Sequence, residues 1–372
     1  MRKVLLRFVF NDPWVWRELG NELLVGVGWL LFVWSCLSLV GFALNWRRSG
    51  QWQEPMTSLL IYGVVPQVAL VFAMWKKLPI TEGGIPVFGY GFMMFIGFST
   101  ATWFAARRVV KIGQPPELIW DMMMWALVPG IIGARLTYLL QNWQQVFGGK
   151  TGAEYWISFI SLWDGGIVFY GGVFGGIAGV LAYSRLRKVS PVALFDVIAP
   201  SLFIGEGFGR IGCFLYGCCF GRACSLPWAV QFPSDSLTFE KLMLRGVIRP
   251  DAMETIPLHP TQLYSSVMAF VLAGVLAWYF RRRPFDGAVM SLGWILYPIN
   301  RYVLETFRDD EPGRLGTGLT FSQLTSIGLV VSGIVAMVCF SYRRKLTSAQ
   351  SGGTAVAPKS ASKSGPVASK SG

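Results

Sequence analysis

The sequence predicts an all-α polytopic integral membrane protein, with a seven-span core preceded by one or two N-terminal hydrophobic segments. Composition is the first reason: of 372 residues, 53% are hydrophobic and 14% charged, where soluble domains carry about a quarter charged residues. Patterning is the second. Residues 23–44, 56–75, 85–106, 165–184, 261–280 and 319–342 contain no Asp, Glu, Lys or Arg, and a helix needs about 20 apolar residues to cross roughly 30 Å of hydrocarbon. A water-soluble monomer is excluded.

Basic clusters set the orientation. Arg107, Arg108 and Lys111, then Arg185, Arg187 and Lys188, then Arg281, Arg282 and Arg283, and finally Arg343, Arg344 and Lys345 each follow an apolar run. Such clusters belong on the cytoplasmic side. Alternation then demands three more spans, near 118–140, 191–216 and 287–307, and the chain supplies them. From residue 85 onward the core enters from outside, leaves 142–164 and 217–260 outside, and ends inside.

Residues 1–84 form an N-terminal extension ahead of the core at 85–342. The first run has neither a short basic leader before it nor a small-residue cleavage site after it, so it reads as an uncleaved span. The run at 56–75 holds Pro66 and is followed by Lys76 and Lys77. A second span keeps parity, and a re-entrant or interfacial segment is the alternative. Residues 343–372, rich in Ser, Gly, Ala, Lys and Pro, read as a disordered basic cytoplasmic tail. The net charge of +13 owes nearly half to that tail, which suits an anionic membrane face rather than nucleic acid.

Charges inside spans carry the functional argument, because each costs about 2.5–3.5 kcal/mol on insertion scales and usually faces a cavity. One span holds Asp121 and Arg135, a second Asp196, Glu206 and Arg210, and a third Arg301, Glu305 and Arg308. The last set, at i, i+4 and i+7, shares one helix face. A single pair can simply join two helices. Arginines from three spans point instead to a bidentate anion site, and a phospholipid headgroup is the anion at hand.

The glycines between Gly165 and Gly179 fit close helix packing, and around Tyr170 they also allow a hydroxyl to face a cavity. Cys213, Cys218, Cys219 and Cys224 fall close together but lack the paired spacing of zinc sites. No metal or cofactor is therefore expected. A disulfide fits better, and packing of small residues better still. His259, the single histidine, stands at the outer start of a span that Thr261 is expected to cap; it is either a structural hydrogen-bonder or a proton acceptor.

Six segments taken in order resemble one family, the bacterial prolipoprotein diacylglyceryl transferases. They are Tyr90-Gly91-Phe92-Met93, Gly133-Ala134-Arg135-Leu136, Asp164-Gly165-Gly166 through Gly171-Gly172, Gly209-Arg210-Ile211-Gly212, His259-Pro260-Thr261-Gln262-Leu263-Tyr264, and Arg301-Tyr302-Val303-Leu304-Glu305-Thr306-Phe307-Arg308. The resemblance implies seven spans in the bacterial inner membrane, with the site toward the outer face. It further implies transfer of the diacylglyceryl group of phosphatidylglycerol to the lipobox cysteine of a prolipoprotein, docked by its signal peptide, by a monomer without cofactor. By this resemblance Arg210 binds the headgroup, Arg301 acts on the departing phosphate, and Tyr90, Arg135, Tyr297, Glu305 and Arg308 complete the substrate pocket. The chain departs from the family pattern at Tyr170, where a histidine is usual, and at Cys213, Cys218 and Ser265. The proton acceptor is then Tyr170, His259, or unnecessary if an arginine polarises the substrate thiol. The rival reading is a non-catalytic lipid- or anion-binding or transport relative, although no internal repeat of the transporter kind is visible.

Overall fold

The computed structural model describes residues 4–9, 16–19, 22–49, 85–148, 152, 158–159, 161, 166–308 and 319–352. The hydrophobic run at 56–75 lies outside them.

The chain is mostly helical but not all-α. Strands β1 (Val4–Val9), β2 (Trp16–Leu19) and β3 (Glu22–Gly26) join β4 (Ile85–Phe88) in a sheet of order β2-β3-β1-β4. β1 runs parallel to β3, while β1–β4 and β2–β3 are antiparallel. A count of uncharged residues cannot separate a strand from the start of a helix, which is why the run at 23–44 absorbed β3 and the run at 85–106 absorbed β4. Pro86 is tolerated because β4 is an edge strand. Arg7 donates from Nε and Nη2 to the two carboxylate oxygens of Glu22, at 2.8 and 3.2 Å, and ties β1 to β3. Helix α1 (Val27–Ser49) follows β3 directly and supplies the first N-terminal hydrophobic segment.

Seven helices of eighteen residues or more follow among the described residues. They are α2 (Gly89–Val109), α3 (Glu117–Gln141), α5 (Phe169–Leu186), α6 (Pro191–Tyr216), α8 (Thr261–Phe280), α9 (Ala288–Glu305) and α10 (Phe321–Gly352), with the short α4 (Trp143–Phe147) and α7 (Leu237–Leu244) between them. Four of these, α3, α6, α8 and α10 as far as Leu346, are long and apolar enough to cross a membrane. α10 continues through Arg343, Arg344 and Lys345 to Gly352, so the first part of the expected disordered tail is helical.

α6 shows how sequence sets these boundaries. Ser190 accepts a hydrogen bond from the Ala193 amide, Pro191 takes the first turn, and Gly217 closes the helix at φ +75°. This is the serine-cap, early-proline, terminal-glycine pattern of a self-contained helix. α3 and α5 pack backbone to backbone. A methyl group on Gly133, Gly175 or Gly179 would strike the main chain of the facing helix, so the glycine run serves helix packing.

Val109, Ile119, Met122, Leu194, Leu276 and Val289 are fully buried in one cluster. They come from the C-terminal ends of α2 and α8 and the N-terminal ends of α3, α6 and α9. The interior is thus knitted at one end of the bundle. Asp121 and Asp196 lie at this end, whereas Tyr90, Arg135, Tyr170, Arg210, Arg301 and Glu305 lie toward the other helix ends.

Candidate active site

Arg210 lies in the penultimate turn of α6 and reaches back to Glu206, with Nη2 3.5 Å from Oε1. Tyr297 on α9 neighbours both Glu206 and Arg210. One turn further along α9, Arg301 contacts the Glu305 carboxylate through Nη1 and donates from Nη2 to Ser322 Oγ on α10, at 3.0 Å. Glu206 and Tyr297 both feel the charge of Arg301 as well as that of Arg210. Two guanidinium groups from different helices therefore act electrostatically on the same two residues. Arg308 closes the row, its Nε 4.0 Å from Glu305 Oε2. Three guanidiniums and two carboxylates thus lie along one row.

The segment between α6 and α8 forms a small cap with its own apolar centre of Phe220, Phe232, Leu242 and Leu258. Its first turns are stitched to α9 and to the approach to α8. The Gly221 amide donates to the His259 carbonyl at 3.1 Å, the His259 amide to the Arg222 carbonyl at 2.9 Å, and the Arg222 amide to the Phe307 carbonyl at 2.9 Å. A Cβ on Gly221 would lie 2.7 Å from His259 Cβ, from Phe307 O and from Thr261 Cγ2, so only glycine lets three segments meet there. Thr261 does not cap α8 as expected. Its hydroxyl donates instead to the Cys219 carbonyl at 2.9 Å.

His259 is half-buried. Its Nδ1 lies 3.2 Å from the Tyr264 hydroxyl and its ring centroid 5.5 Å from that of Phe307. Trp228 donates its indole N–H to the same Tyr264 hydroxyl at 2.7 Å. Beneath this layer the sulfur atoms of Cys213, Cys218 and Cys219 lie within 4.8 Å of one another. Hydrogen bonds from Cys213 and Cys218 pull the Cys219 thiol well below its ordinary range, with the charges of Arg308 and Arg210 adding to the effect.

Not every expected residue joins this cluster. Tyr90, in the first turn of α2, packs against Tyr216 with ring centroids 6.4 Å apart and feels the charge of Arg210. Arg135 is buried and donates to the carbonyls of Ser158, Phe159 and Gly166 at 2.7–3.3 Å, which holds the approach to α5. Tyr170, in the first turn of α5, is 66% exposed with Phe169 as its ring neighbour. Asp121 pairs with Arg187 at 2.8 Å at the far end of the bundle. Glu206, one of the charges expected inside a span, joins the site, and Ser322 is the member that sequence reasoning missed. The i, i+4 spacing to Arg210 signals Glu206, but no spacing signals Ser322, which the fold brings from the next helix.

Residues 78–339 match the family described as prolipoprotein diacylglyceryl transferase. The chain belongs to that family. A phosphatidylglycerol–prolipoprotein diacylglyceryl transferase of Clostridium tetani is 31% identical over 262 residues, covering 70% of this chain and 96% of its own length. One from Azotobacter vinelandii is 33% identical over 282 residues, covering 74% and 98%, and a second enzyme of Clostridium perfringens is 31% identical over 252 residues, covering 68% and 90%. The diacylglyceryl transferase match opens ahead of β4 and closes inside α10. It therefore takes in six of the long helices whole, the first part of α10 and every residue of the arginine row, and its membrane-capable helices make this a multi-pass membrane protein.

Proposed function

We propose that this protein transfers the diacylglyceryl group of phosphatidylglycerol to the lipobox cysteine of prolipoproteins, the first step of bacterial lipoprotein maturation. All seven long helices cross the inner membrane, with the site toward the outer face and the C-terminus in the cytoplasm. The clusters at Arg107–Arg108, Arg185–Lys188, Arg281–Arg283 and Arg343–Lys345 support that orientation, since all lie in the later part of helices leading away from the site or just beyond them. Residues 1–84 are an added N-terminal segment whose strands attach to the core through β4. The enzyme works as a monomer, with both substrates entering from the bilayer.

The observation that carries this reading is the shared neighbourhood of Arg210 and Arg301 around Glu206 and Tyr297. Arg210 holds the phosphodiester and Arg301 receives the charge that develops on the leaving phosphate, with Arg308 and Glu305 fixing the row. The substrate thiol loses its proton, and its sulfur attacks the glycerol carbon. A C–S bond forms, the C–O bond to phosphate breaks, and glycerol phosphate departs with the electron pair. His259, oriented by Tyr264 beside Phe307 and the arginine row, takes the thiol proton. Tyr90 and Tyr170 flank the lipid entrance at the first turns of α2 and α5, and Arg135 positions the backbone leading to Tyr170.

The test is purified protein in phosphatidylglycerol vesicles with a prolipoprotein-derived peptide. Thioether product and free glycerol phosphate in equal amounts are expected. Lipid retained without glycerol phosphate release would replace the enzyme with a lipid-binding relative.

A further inference from the structure

We infer that Cys213, Cys218 and Cys219 form a trithiolate site for a thiophilic divalent cation of the zinc class, and that its occupancy antagonises the anion site beside it. Sequence spacing argues against a metal, but the fold supplies what spacing does not. α6 ends at Gly217, and the chain doubles back so that the sulfurs from the last turn of the helix and from the loop come within 4.8 Å of one another. Three sulfurs about 2.3 Å from one ion sit roughly 4 Å apart.

Two further observations show that this loop is held in shape. Cys219 has φ +62°, a left-handed conformation that a side-chain-bearing residue rarely adopts. Its carbonyl and that of Cys218 are gripped from α8 by Thr261 Oγ1 and Gln262 Nε2, two residues only 1% exposed. The sulfurs are thus presented by a fixed backbone, as a metal site requires.

On binding, the sulfurs that are still protonated release their protons to water, three metal–sulfur bonds form, and water leaves the ion. A divalent cation with three thiolates carries one net negative charge. Arg210 and Arg308 both lie within electrostatic reach of Cys219, so this charge competes with a lipid phosphate for the same guanidiniums. The coupling rests on the function proposed above; the metal site does not.

The experiment titrates the reduced full-length protein in detergent with Cd2+ alone, following thiolate-to-cadmium ultraviolet absorption, and repeats it with Zn2+ competing. One saturable equivalent is expected in wild type and in Cys224→Ser, and none in Cys218→Ser or Cys219→Ser, each checked for native helicity by circular dichroism. No band in wild type, a band kept by both variants, or alkylation showing two of the three thiols joined as a disulfide would overturn the site. In vesicles, Zn2+ should suppress diacylglyceryl transfer by wild type but not by Cys218→Ser; equal suppression of both would overturn the coupling. Protein that binds Cd2+ in this way but shows no transfer before any metal is added would count against the enzymatic reading and leave the site standing.

Discussion

Arg210 and Glu206 face each other across a single turn of α6 at 3.5 Å, the outer limit of a hydrogen bond. The carboxylate is close enough to hold the guanidinium in the bundle without clamping it in a tight bidentate pair. A phosphodiester can then compete for the planar face.

Replacing Arg210 by Ala should lower transfer by about two to three orders of magnitude, the usual effect of removing one preorganised donor from a developing anion. Arg210→Lys should recover little, because an ammonium is a point charge without the fork. Glu206→Gln should keep lipid binding. The measurement is thioether formation in phosphatidylglycerol vesicles alongside lipid retention, and Arg210→Ala turning over at the wild-type rate would remove Arg210 from the site.

The proton acceptor can be separated by complementation of a strain lacking the transferase. His259 has an oriented ring nitrogen beside Tyr264 and is bonded through its backbone to the loop that leads to Arg308. Tyr170 is 66% exposed on the first turn of α5. His259→Ala should fail to complement at normal protein level, whereas Tyr170→Phe should complement. The opposite pattern would transfer the role to Tyr170.

Helix positions were legible wherever a charge-free run or an end signal marked them. α6 and α8 begin and end where Ser190-Pro191, Gly217, Pro260 and Arg281 indicate. The sheet was not legible, since β1 is a short stretch whose pairing with β4 spans some eighty residues, and periodicity within a run says nothing of a distant partner. In the site, the i, i+4 pairs Glu206–Arg210 and Arg301–Glu305 follow from helix geometry alone. The contact of Arg301 with Ser322 and the meeting of three cysteine sulfurs depend on how segments cross.

Gly221 marks such a crossing. A methyl group there would press on the Phe307 carbonyl and on His259 and Thr261, all at 2.7 Å, and backbone cannot rotate away as a side-chain tip can. Gly221→Ala should cost about 1–3 kcal/mol by overpacking and displace His259 and Arg308 together. Transfer should fall more than heat stability does. Wild-type stability and wild-type rate in this variant would show that the three segments do not meet as described.

Asp196 is one of the charges inside a span, yet its contacts are those of an organising residue. Fully buried in α6, it accepts from the Gly287 amide at 2.8 Å and the Met290 amide at 2.9 Å, and it lies 3.7 Å from Arg283. It therefore caps the start of α9 from another helix, since Gly287 brings no side chain to cap it. Asp196→Ala strands two amide donors, a loss of about 3 kcal/mol or more, while Arg283 keeps its pair with Asp286 at 3.2 Å. Asp196→Asn keeps one acceptor oxygen and should lose roughly half as much. Because α9 carries Tyr297, Arg301 and Glu305, its loosening should reduce transfer in proportion to the folded fraction and leave the affinity for phosphatidylglycerol of the remaining folded protein unchanged. A variant that unfolds at the wild-type temperature but has lost lipid affinity would instead return Asp196 to the anion site.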